Sequence, residues 1–489
     1  MTAPTARPVL SAEEYAALDG VGLAALLRTG EVSIGEVTAS ARAAIERANP
    51  AVNAIIEVYE DRLADPEAGL INGPLKGVPF LVKDVTSHFG GRKLENGSRL
   101  CQEYVVPKDS YFARLVKATG VNLVGRSHTP EFSMALCADT VLYGATSNPW
   151  KGGYSTSGSS GGAAAAVASG MVPIAHASDL GGSTRGPAAW CGTVGLHPSR
   201  GRVSHGPSFD ERGHGMAQSS VVTRTMRDTA VMLDVLATPQ PGDPFVVRRP
   251  DRPYKDYLVG TDRRLRIGWS TAPLMDAPVD PEIAAAVEET ARTLEALGHT
   301  VEESSPVFDL IAMDRMLTDL WYFQFDKYLD EVGARSGRRV GPDTVERATL
   351  RFYEFAKSRS VDAYFAAMEQ LNVFRRQIGG WFETFDIWLS PTCAQVAQPN
   401  GVFGMNIDVE PEAFLQHEQR PCQFMVWANV CGAPAISLPL ALHSSGLPIG
   451  VQLAARPGYE EHLIGLGAEL EQAMPWAQRI PALHVSRLR

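Results

Sequence analysis

The chain has 489 residues, of which 45% are hydrophobic and 20% charged, and its formal net charge at pH 7 is −10. Nucleic-acid binding requires a clustered basic surface, and an anionic membrane attracts the same kind of surface. Because the chain is acidic and has no block of lysine and arginine, its composition argues against both kinds of partner.

The sequence shows no segment that would direct the chain out of the cytoplasm. Residues 1–20 have neither the basic nor the apolar part of a signal peptide, and no run approaches the roughly 18 apolar residues of a membrane span. The six cysteines form no CxxC pair, and disulfide frameworks are typical of small secreted scaffolds. We therefore predict a soluble cytoplasmic protein with reduced thiols.

The N-terminal part of the chain is predicted to form a helical layer over residues 11–65. Ser11 with Glu14, and Ser33 with Glu36, have the spacing of capping boxes that begin helices. An apolar-periodic segment follows each of them, as an amphipathic helix requires.

The segment 75–84, LKGVPFLVKD, predicts a buried strand that ends on the charged residues Lys83 and Asp84. Lysine is rarely fully buried without a partner, so the plain alternative is a strand end that emerges into solvent. Residues 111–128 then predict a helix followed by a strand.

Residues 152–162 are rich in glycine and serine, which is typical of a flexible linker. An Ala-rich helical pattern follows directly, and this favours a folded turn that leads into a core helix. Ser159 and Ser160 would then lie beside glycines at a helix N-terminus, where an anion is stabilised. An ordinary helix cap is the alternative, and a nucleotide-binding loop is poorly supported because no GK[ST] follows.

A strand over residues 173–177 leads into DLGGSTRGPAAW, and Pro187 fits the first turn of another helix. The two glycines before Ser183 allow a sharp turn in which successive N–H groups face one point. An oxyanion hole requires this arrangement, although an ordinary turn has the same sequence pattern.

The second half of the chain continues the alternation. Strands over 265–270 and from Thr300 flank a helix capped by Asp280 and Pro281 and ended by Gly298, which predicts a βαβ unit.

Residues 307–380 are predicted to be helical and are rich in aromatic and charged side chains, and 386–392 and 436–453 return to strands. This alternation predicts an α/β class with one large domain, in which helices flank a central mixed β-sheet. Its predicted parts are a helical N-terminal layer (11–65), a core (71–240), a variable helical region that is a candidate lid (300–385) and the C-terminal part of the core (386–489).

Residues 157–203, SGSSGGAAAAVASGMVPIAHASDLGGSTRGPAAWCGTVGLHPSRGRV, resemble the signature of the amidase signature family. The resemblance extends over most of the chain and is weakest at about 240–385. Supporting matches are PLKGVPFLVKD at 74–84, ATSNPW at 145–150, and GAPAISLPL with GLPIGVQLAARPGYE within 432–460.

The resemblance implies a catalytic set. Ser183 would be the nucleophile, Lys83 the general base, and Ser159 the serine that bridges them after a cis peptide bond from Gly158. The implied oxyanion hole consists of backbone N–H groups of Leu180, Gly181, Gly182 and Ser183. The implied loop supports are Asp179, Arg185 and Ser160. Lysine acts as a base only when neutral, and desolvation lowers its pKa, so a buried strand end suits the role.

Some positions depart from the family pattern. Leu180 and Thr184 replace commoner small or β-branched residues, and His197 stands where the family usually has lysine, which we interpret as a surface change. The eleven histidines show no HExxH spacing, so we predict no metal and no other cofactor. GxSxG is absent around Ser159 and Ser183, which disfavours a Ser-His-Asp hydrolase.

The acyl pocket is harder to predict. The segment of Phe132, Met134, Ala135 and Leu136 borders the site in the family. A second aromatic set lies in the variable helical region and either packs in the core or lines a broad apolar pocket: Trp321, Tyr322, Phe325 and Phe352.

We therefore predict an amidase that hydrolyses C–N bonds of small, hydrophobic amides or carbamates, as a monomer or homodimer, through a Ser-cisSer-Lys acyl-enzyme mechanism. Urethane or nylon-oligomer hydrolysis as the main activity is one alternative. An amidotransferase A-type subunit that needs protein partners is another.

Overall fold

The computed structural model describes residues 10–207 and 213–488. The prediction about a leader in residues 1–20 lies partly outside these ranges. The helices are α1 (Ala12–Ala17), α2 (Gly20–Thr29), α3 (Ile34–Val52), α4 (Glu60–Ala64), α5 (Tyr111–Ala118), α6 (Gly161–Ala168), α7 (Arg185–Cys191), α8 (Met226–Leu236), α9 (Pro281–Ala296), α10 (Leu310–Tyr322), α11 (Phe325–Arg335), α12 (Arg347–Ala356), α13 (Val361–Trp381), α14 (Pro411–Cys422), α15 (Val426–Cys431) and α16 (Glu460–Ala473).

The strands are β1 (Ile55–Val58), β2 (Pro79–Lys83), β3 (Asn122–Ser127), β4 (Asp139–Thr140), β5 (Gly144–Ala145), β6 (Ile174–Asp179), β7 (Val194–His197), β8 (Gln218–Thr223), β9 (Arg266–Trp269), β10 (Thr300–Glu303), β11 (Ile387–Pro391), β12 (Ala435–Leu442) and β13 (Pro448–Ala455). All except β4 and β5 join one sheet of eleven strands, in the order β1-β3-β2-β6-β8-β7-β12-β13-β11-β9-β10. Parallel and antiparallel pairs both occur, since β2 runs parallel to β3 and β6 while β6 runs antiparallel to β8. The structure thus confirms a single domain with a large mixed sheet flanked by helices.

The N-terminal helices begin where the capping signals predict. Ser11 and Ser33 each accept a hydrogen bond from the backbone of the glutamate three residues later, and each glutamate side chain accepts one in return. The predicted helical layer also contains a strand, β1, which pairs antiparallel with β3 at the edge of the sheet. Four residues are too few to show alternation, and the pairing depends on a strand distant in sequence.

The βαβ unit in the second half also forms as predicted. Strands β9 and β10 are parallel neighbours, and the helix between them begins with Asp280 as its cap and Pro281 at its first position. Helices α10 to α13 occupy the predicted helical region. No helix of the described ranges is long and apolar enough to cross a membrane.

Helix α6 explains how the Gly/Ser-rich segment is held in the core. All eight residues of its sequence GGAAAAVA are buried. Small residues let it approach its neighbours closely: a Cβ on Gly162 would lie 2.5 Å from the backbone N of His128. The segment before α6 is therefore fixed against the sheet, and it is not a flexible linker.

Candidate active site

The site forms where the neighbouring parallel strands β2 and β6 end. The carboxyl ends of parallel strands meet at one edge of a sheet, where α/β proteins place their ligand sites. Lys83 is the last residue of β2, and Ser178 and Asp179 are the last two of β6. Residues that are distant in sequence thereby become neighbours.

The Lys83 side chain is completely buried among hydroxyl groups, so the strand end does not emerge into solvent. Its Nζ lies 2.8 Å from Ser159 Oγ, 2.9 Å from Ser160 Oγ and 2.9 Å from Ser178 Oγ. Burial lowers the pKa of Lys83 to about 7, and the negative charge of Asp179 opposes this shift. At neutral pH a substantial fraction of the amine is therefore unprotonated and can accept a proton.

The segment before α6 brings the two signature serines together. The Gly158–Ser159 peptide bond is cis. Ser160 is the cap residue of α6, and its N–H donates to the carbonyl oxygen of Ser183 at 3.1 Å. Ser159 and Ser183 line the same cavity. The structure therefore brings the three predicted catalytic residues to one place: Lys83 contacts Ser159, and Ser159 and Ser183 line one cavity.

The turn before Ser183 differs from the prediction at one residue. The N–H of Gly182, predicted to belong to the oxyanion hole, donates to Asp179 Oδ1 at 2.7 Å and is not available to a substrate. The turn requires glycine there because its φ is 125° and a Cβ would lie 2.7 Å from the Met425 side chain. Among the described residues, the N–H groups of Leu180, Gly181 and Ser183 have no hydrogen-bond acceptor.

Asp179 and Arg185 form a buried ion pair that holds this turn. Arg185 Nε and Nη2 each donate to the carboxylate at 3.0 Å, and Arg185 also donates to Gln452 Oε1 at 2.8 Å and to Asn429 Oδ1 at 2.7 Å. Burial alone would raise the pKa of Asp179, but the charge of Arg185 holds that pKa well below its usual range. The carboxylate is therefore ionised and fixes the loop.

His197 is not a surface residue, contrary to the interpretation above. It is the last residue of β7, is 1% exposed, and its Nδ1 lies 3.7 Å from Asp179 Oδ1. Burial lowers the pKa of His197 to about 3, although the charge of Asp179 opposes this. A neutral imidazole thus packs beside the Asp179–Arg185 ion pair. A lysine at this position would add another buried positive charge.

Replacing Asp179 with Asn should destabilise the protein by about 3–5 kcal/mol, because Arg185 would then be a buried charge without a counter-ion. Urea unfolding of both proteins measures the difference. Asp61→Asn is the matched control, since the Asp61 carboxylate is exposed and its ion pair with Arg92 should contribute less than about 1 kcal/mol. An unchanged unfolding free energy for Asp179→Asn would show that the ion pair does not support the fold.

A cavity of about 640 Å³ opens above the serines. The segment predicted as the pocket lines it, namely Phe132, Met134, Ala135 and Leu136, together with Ser133. Among the described residues no group of three or more His, Cys, Asp or Glu side chains could hold a metal ion.

The variable helical region provides the other wall of this cavity. Trp321, Tyr322 and Phe325 line it, whereas Phe352 is fully buried and packs on Tyr322 with ring centroids 5.1 Å apart. The Trp321 ring lies against the turn that precedes Ser183, 3.2 Å from where a Cβ on Gly181 would be. The variable helical region thus places an aromatic ring beside the turn that precedes Ser183.

Sequence reasoning missed several residues of the site. Ser178 contacts the Lys83 amine, and His176 Nδ1 accepts the Lys83 backbone N–H at 3.2 Å. Asn429 and Gln452 hold Arg185 from elements more than 240 residues further along the chain. The alternation of β6 could have indicated His176 and Ser178, since alternate residues share a face of the sheet. No local pattern marks Asn429 or Gln452.

The chain matches the family model described as Amidase over residues 36–464. It is 34% identical over 478 residues to a 6-aminohexanoate-cyclic-dimer hydrolase of Paenarthrobacter ureafaciens, a match that covers 95% of this chain and 96% of the relative.

Two solved structures have the same fold. A 6-aminohexanoate cyclic dimer hydrolase complexed with substrate superposes with a TM-score of 0.91 at 33% identity, covering 96% of this chain and 99% of the other. A bacterial aryl acylamidase of the amidase signature enzymes superposes with a TM-score of 0.84 at 25% identity, with the same coverage. The similarity therefore includes the variable helical region, where the sequence resemblance was weakest.

Proposed function

The chain is an amidase that belongs to the amidase signature family, and we propose that it hydrolyses the C–N bond of small, hydrophobic amides or carbamates through an acyl-enzyme on Ser183. One observation carries this proposal. A fully buried lysine amine contacts three serine hydroxyls, and two of these serines, Ser159 and Ser178, line a cavity together with Ser183. A serine hydroxyl is a weak nucleophile until a base removes its proton, and this cluster provides a base.

In the first half of the reaction, Ser183 Oγ attacks the carbonyl carbon of the substrate. The proton of Ser183 passes to Ser159 Oγ as the Ser159 proton passes to the neutral Lys83 amine, 2.8 Å away. As negative charge develops on the carbonyl oxygen, this oxygen accepts hydrogen bonds from the free backbone N–H groups of Leu180, Gly181 and Ser183. Each such donor typically contributes about 3 kcal/mol of transition-state stabilisation.

The C–N bond then breaks to complete the acylation of Ser183. The leaving nitrogen takes a proton from Ser159, which recovers one from Lys83. An amine leaves and Ser183 remains acylated. A water molecule then attacks the acyl carbon by the same proton path, and a carboxylic acid leaves from an amide substrate or a carbonic acid half-ester from a carbamate. The lysine amine is neutral at the start and at the end of each cycle.

The cavity wall supports a hydrophobic substrate. Aromatic side chains of α10 and α11 line the cavity together with the segment 132–136, and such walls bind aryl or long alkyl groups through apolar burial. The relatives named above act on a cyclic amide dimer and on aryl acylamides, and both substrates fit this description. Nylon-oligomer or urethane hydrolysis therefore remains an alternative main activity.

A chromogenic panel tests the substrate class. The purified chain alone should cleave an aliphatic anilide and an aryl carbamate faster than a small primary amide, because the two larger substrates bury more apolar area in the cavity. A nitrophenyl ester serves as the reactive reference. Initial rates measured over a range of concentrations give kcat/KM for each compound.

Labelling with a serine-directed fluorophosphonate separates the remaining possibilities. Labelling of the purified chain, together with cleavage of at least one panel compound, supports a stand-alone hydrolase. Failure of the lone chain to cleave any panel member would instead favour an amidotransferase A-type subunit that depends on partners. A preference for the primary amide would contradict the proposed substrate class.

A further inference from the structure

One face of helix α11 lines the cavity along the full length of the helix. The lining residues recur every three or four positions, as residues on one side of a helix do: Phe325, Tyr328, Val332 and Arg335, followed by the cap residue Ser336. Ser159 and Ser183 line the same cavity. The eleven residue steps from Phe325 to Ser336 extend this face over roughly 16 Å, at a rise of about 1.5 Å each. The cavity therefore continues well beyond the reacting atoms.

The N-terminal end of α11 is joined to the reacting centre through aromatic contacts. The rings of Phe325 and Tyr328 pack edge-on against Phe132, with centroid distances of 6.3 Å and 6.1 Å. Phe132 lies in the segment that also touches Gly158, since a Cβ on Gly158 would be 1.9 Å from the Ala135 carbonyl oxygen. This end of the face is therefore the end nearer to the signature serines.

The C-terminal end of α11 lies against the segment around Cys101, which also lines the cavity. A Cβ on Gly333 would be 3.1 Å from Leu100 Cδ1. Just past the helix, Arg338 Nη1 donates to the Gln102 carbonyl oxygen at 2.6 Å. The cavity is therefore bounded by α11 along one side and by this segment at its distal end, and we call this space the α11 groove.

The wall of the α11 groove is apolar where it is buried, and its charged groups are paired. Val332, midway along the face, is 7% exposed. The charged lining residues of α11 have partners on the helix itself: Lys327 Nζ lies 3.3 Å from Asp326 Oδ2, and Arg335 pairs with Glu331. The groove therefore suits an uncharged chain, whose binding is favoured by the burial of its apolar surface.

We propose that the α11 groove is a subsite that binds an unbranched, uncharged chain of the substrate and determines which chain length is cleaved fastest. The inference rests on the proposed hydrolysis at Ser183 and specifies its substrate class. Preferred substrates are linear amides with one long arm, on either the acyl or the amine side of the scissile bond. Each methylene that enters the groove raises kcat/KM by roughly two- to fourfold, until the chain reaches the distal end.

Two series of compounds with chains of four to fourteen carbons test this proposal. Nitroanilides of unbranched carboxylic acids lengthen the acyl arm, and butyramides of unbranched alkylamines lengthen the amine arm. In one of the two series, kcat/KM of the wild-type protein should rise with chain length to a maximum. The series in which it rises identifies the arm that the groove binds.

Tryptophan substitutions along α11 test whether this helix sets the maximum. Ser336→Trp fills the distal end of the groove and should move the maximum to shorter chains. Val332→Trp should move it further, because Val332 lies four residues, or about 6 Å, nearer to the reacting centre. Ala334→Trp is the matched control and should leave the maximum in place, since Ala334 is exposed and is not among the described residues that line the cavity.

The outcomes separate this inference from the function on which it rests. Cleavage with equal kcat/KM for short and long chains in both series would overturn the role of the α11 groove alone, whereas no cleavage of any compound by wild type would overturn both proposals. A maximum that Ser336→Trp does not move, or that Ala334→Trp moves equally far, would also overturn the role of the groove. Thermal unfolding shows whether each variant is folded, and if Val332→Trp is not, the half-buried Ser336 position decides.

Discussion

Substitution of Ser183 by Ala should reduce kcat for any cleaved amide or carbamate by about 10⁴- to 10⁶-fold while leaving the fold intact. The reason is that no other hydroxyl can replace it as the nucleophile. Ser159 and Ser160 both contact the Lys83 amine, and only Ser183 follows the turn with free N–H groups. Steady-state kinetics together with loss of fluorophosphonate labelling provide the measurement.

Ser157→Ala is a matched control for this substitution. It removes a buried hydroxyl from the neighbouring loop, and that hydroxyl has no hydrogen-bond partner among the described residues. The activity and unfolding midpoint of this control should stay close to those of wild type. If Ser183→Ala retained labelling and turnover, the nucleophile would have to be sought elsewhere in the cluster.

Much of the fold could be predicted because its signals are local. The capping boxes at Ser11 and Ser33, the Asp280–Pro281 start of α9 and the apolar run that ends at Lys83 each specify an element within a few residues. Strand β1 escaped prediction because its four residues form a strand only by pairing with β3. The order of strands in the sheet likewise depends on contacts between distant segments.

The site shows the same division between local and long-range information. The family resemblance predicted Lys83, Ser159 and Ser183 as a set, and in the structure Lys83 contacts Ser159 while Ser159 and Ser183 line one cavity. It did not show that Gly182 gives its N–H to Asp179, because that hydrogen bond depends on how the turn closes. Nor did it show the burial of His197, which its position on a central strand determines. Residues on later elements, such as Glu418, enter the cavity through tertiary packing alone.

The pH dependence of kcat/KM should rise with pH through a value near 7 and level off above it. Lys83 acts as a base only without its proton, and burial lowers its pKa to about 7, so protonation below that pH removes the base. Burial keeps the pKa of His176 and that of His197 well below 7, so neither imidazole accounts for this rise of kcat/KM with pH. Lys83→Ala should lower kcat by about 10³-fold or more, since base catalysis supplies about that factor.

The pH at which kcat/KM rises, the limb of the pH–rate profile, should depend on the hydroxyls that contact the Lys83 amine. Ser178 Oγ lies 2.9 Å from Nζ and can accept a hydrogen bond from the protonated form. Ser178→Ala removes that acceptor and destabilises the charged amine, so the pKa of Lys83 should fall further and the limb should move to lower pH. Rate profiles of wild type and Ser178→Ala from pH 5 to pH 9 make the comparison. A limb that stayed in place would mean that a group other than Lys83 titrates there, and the assignment of the base would then fail.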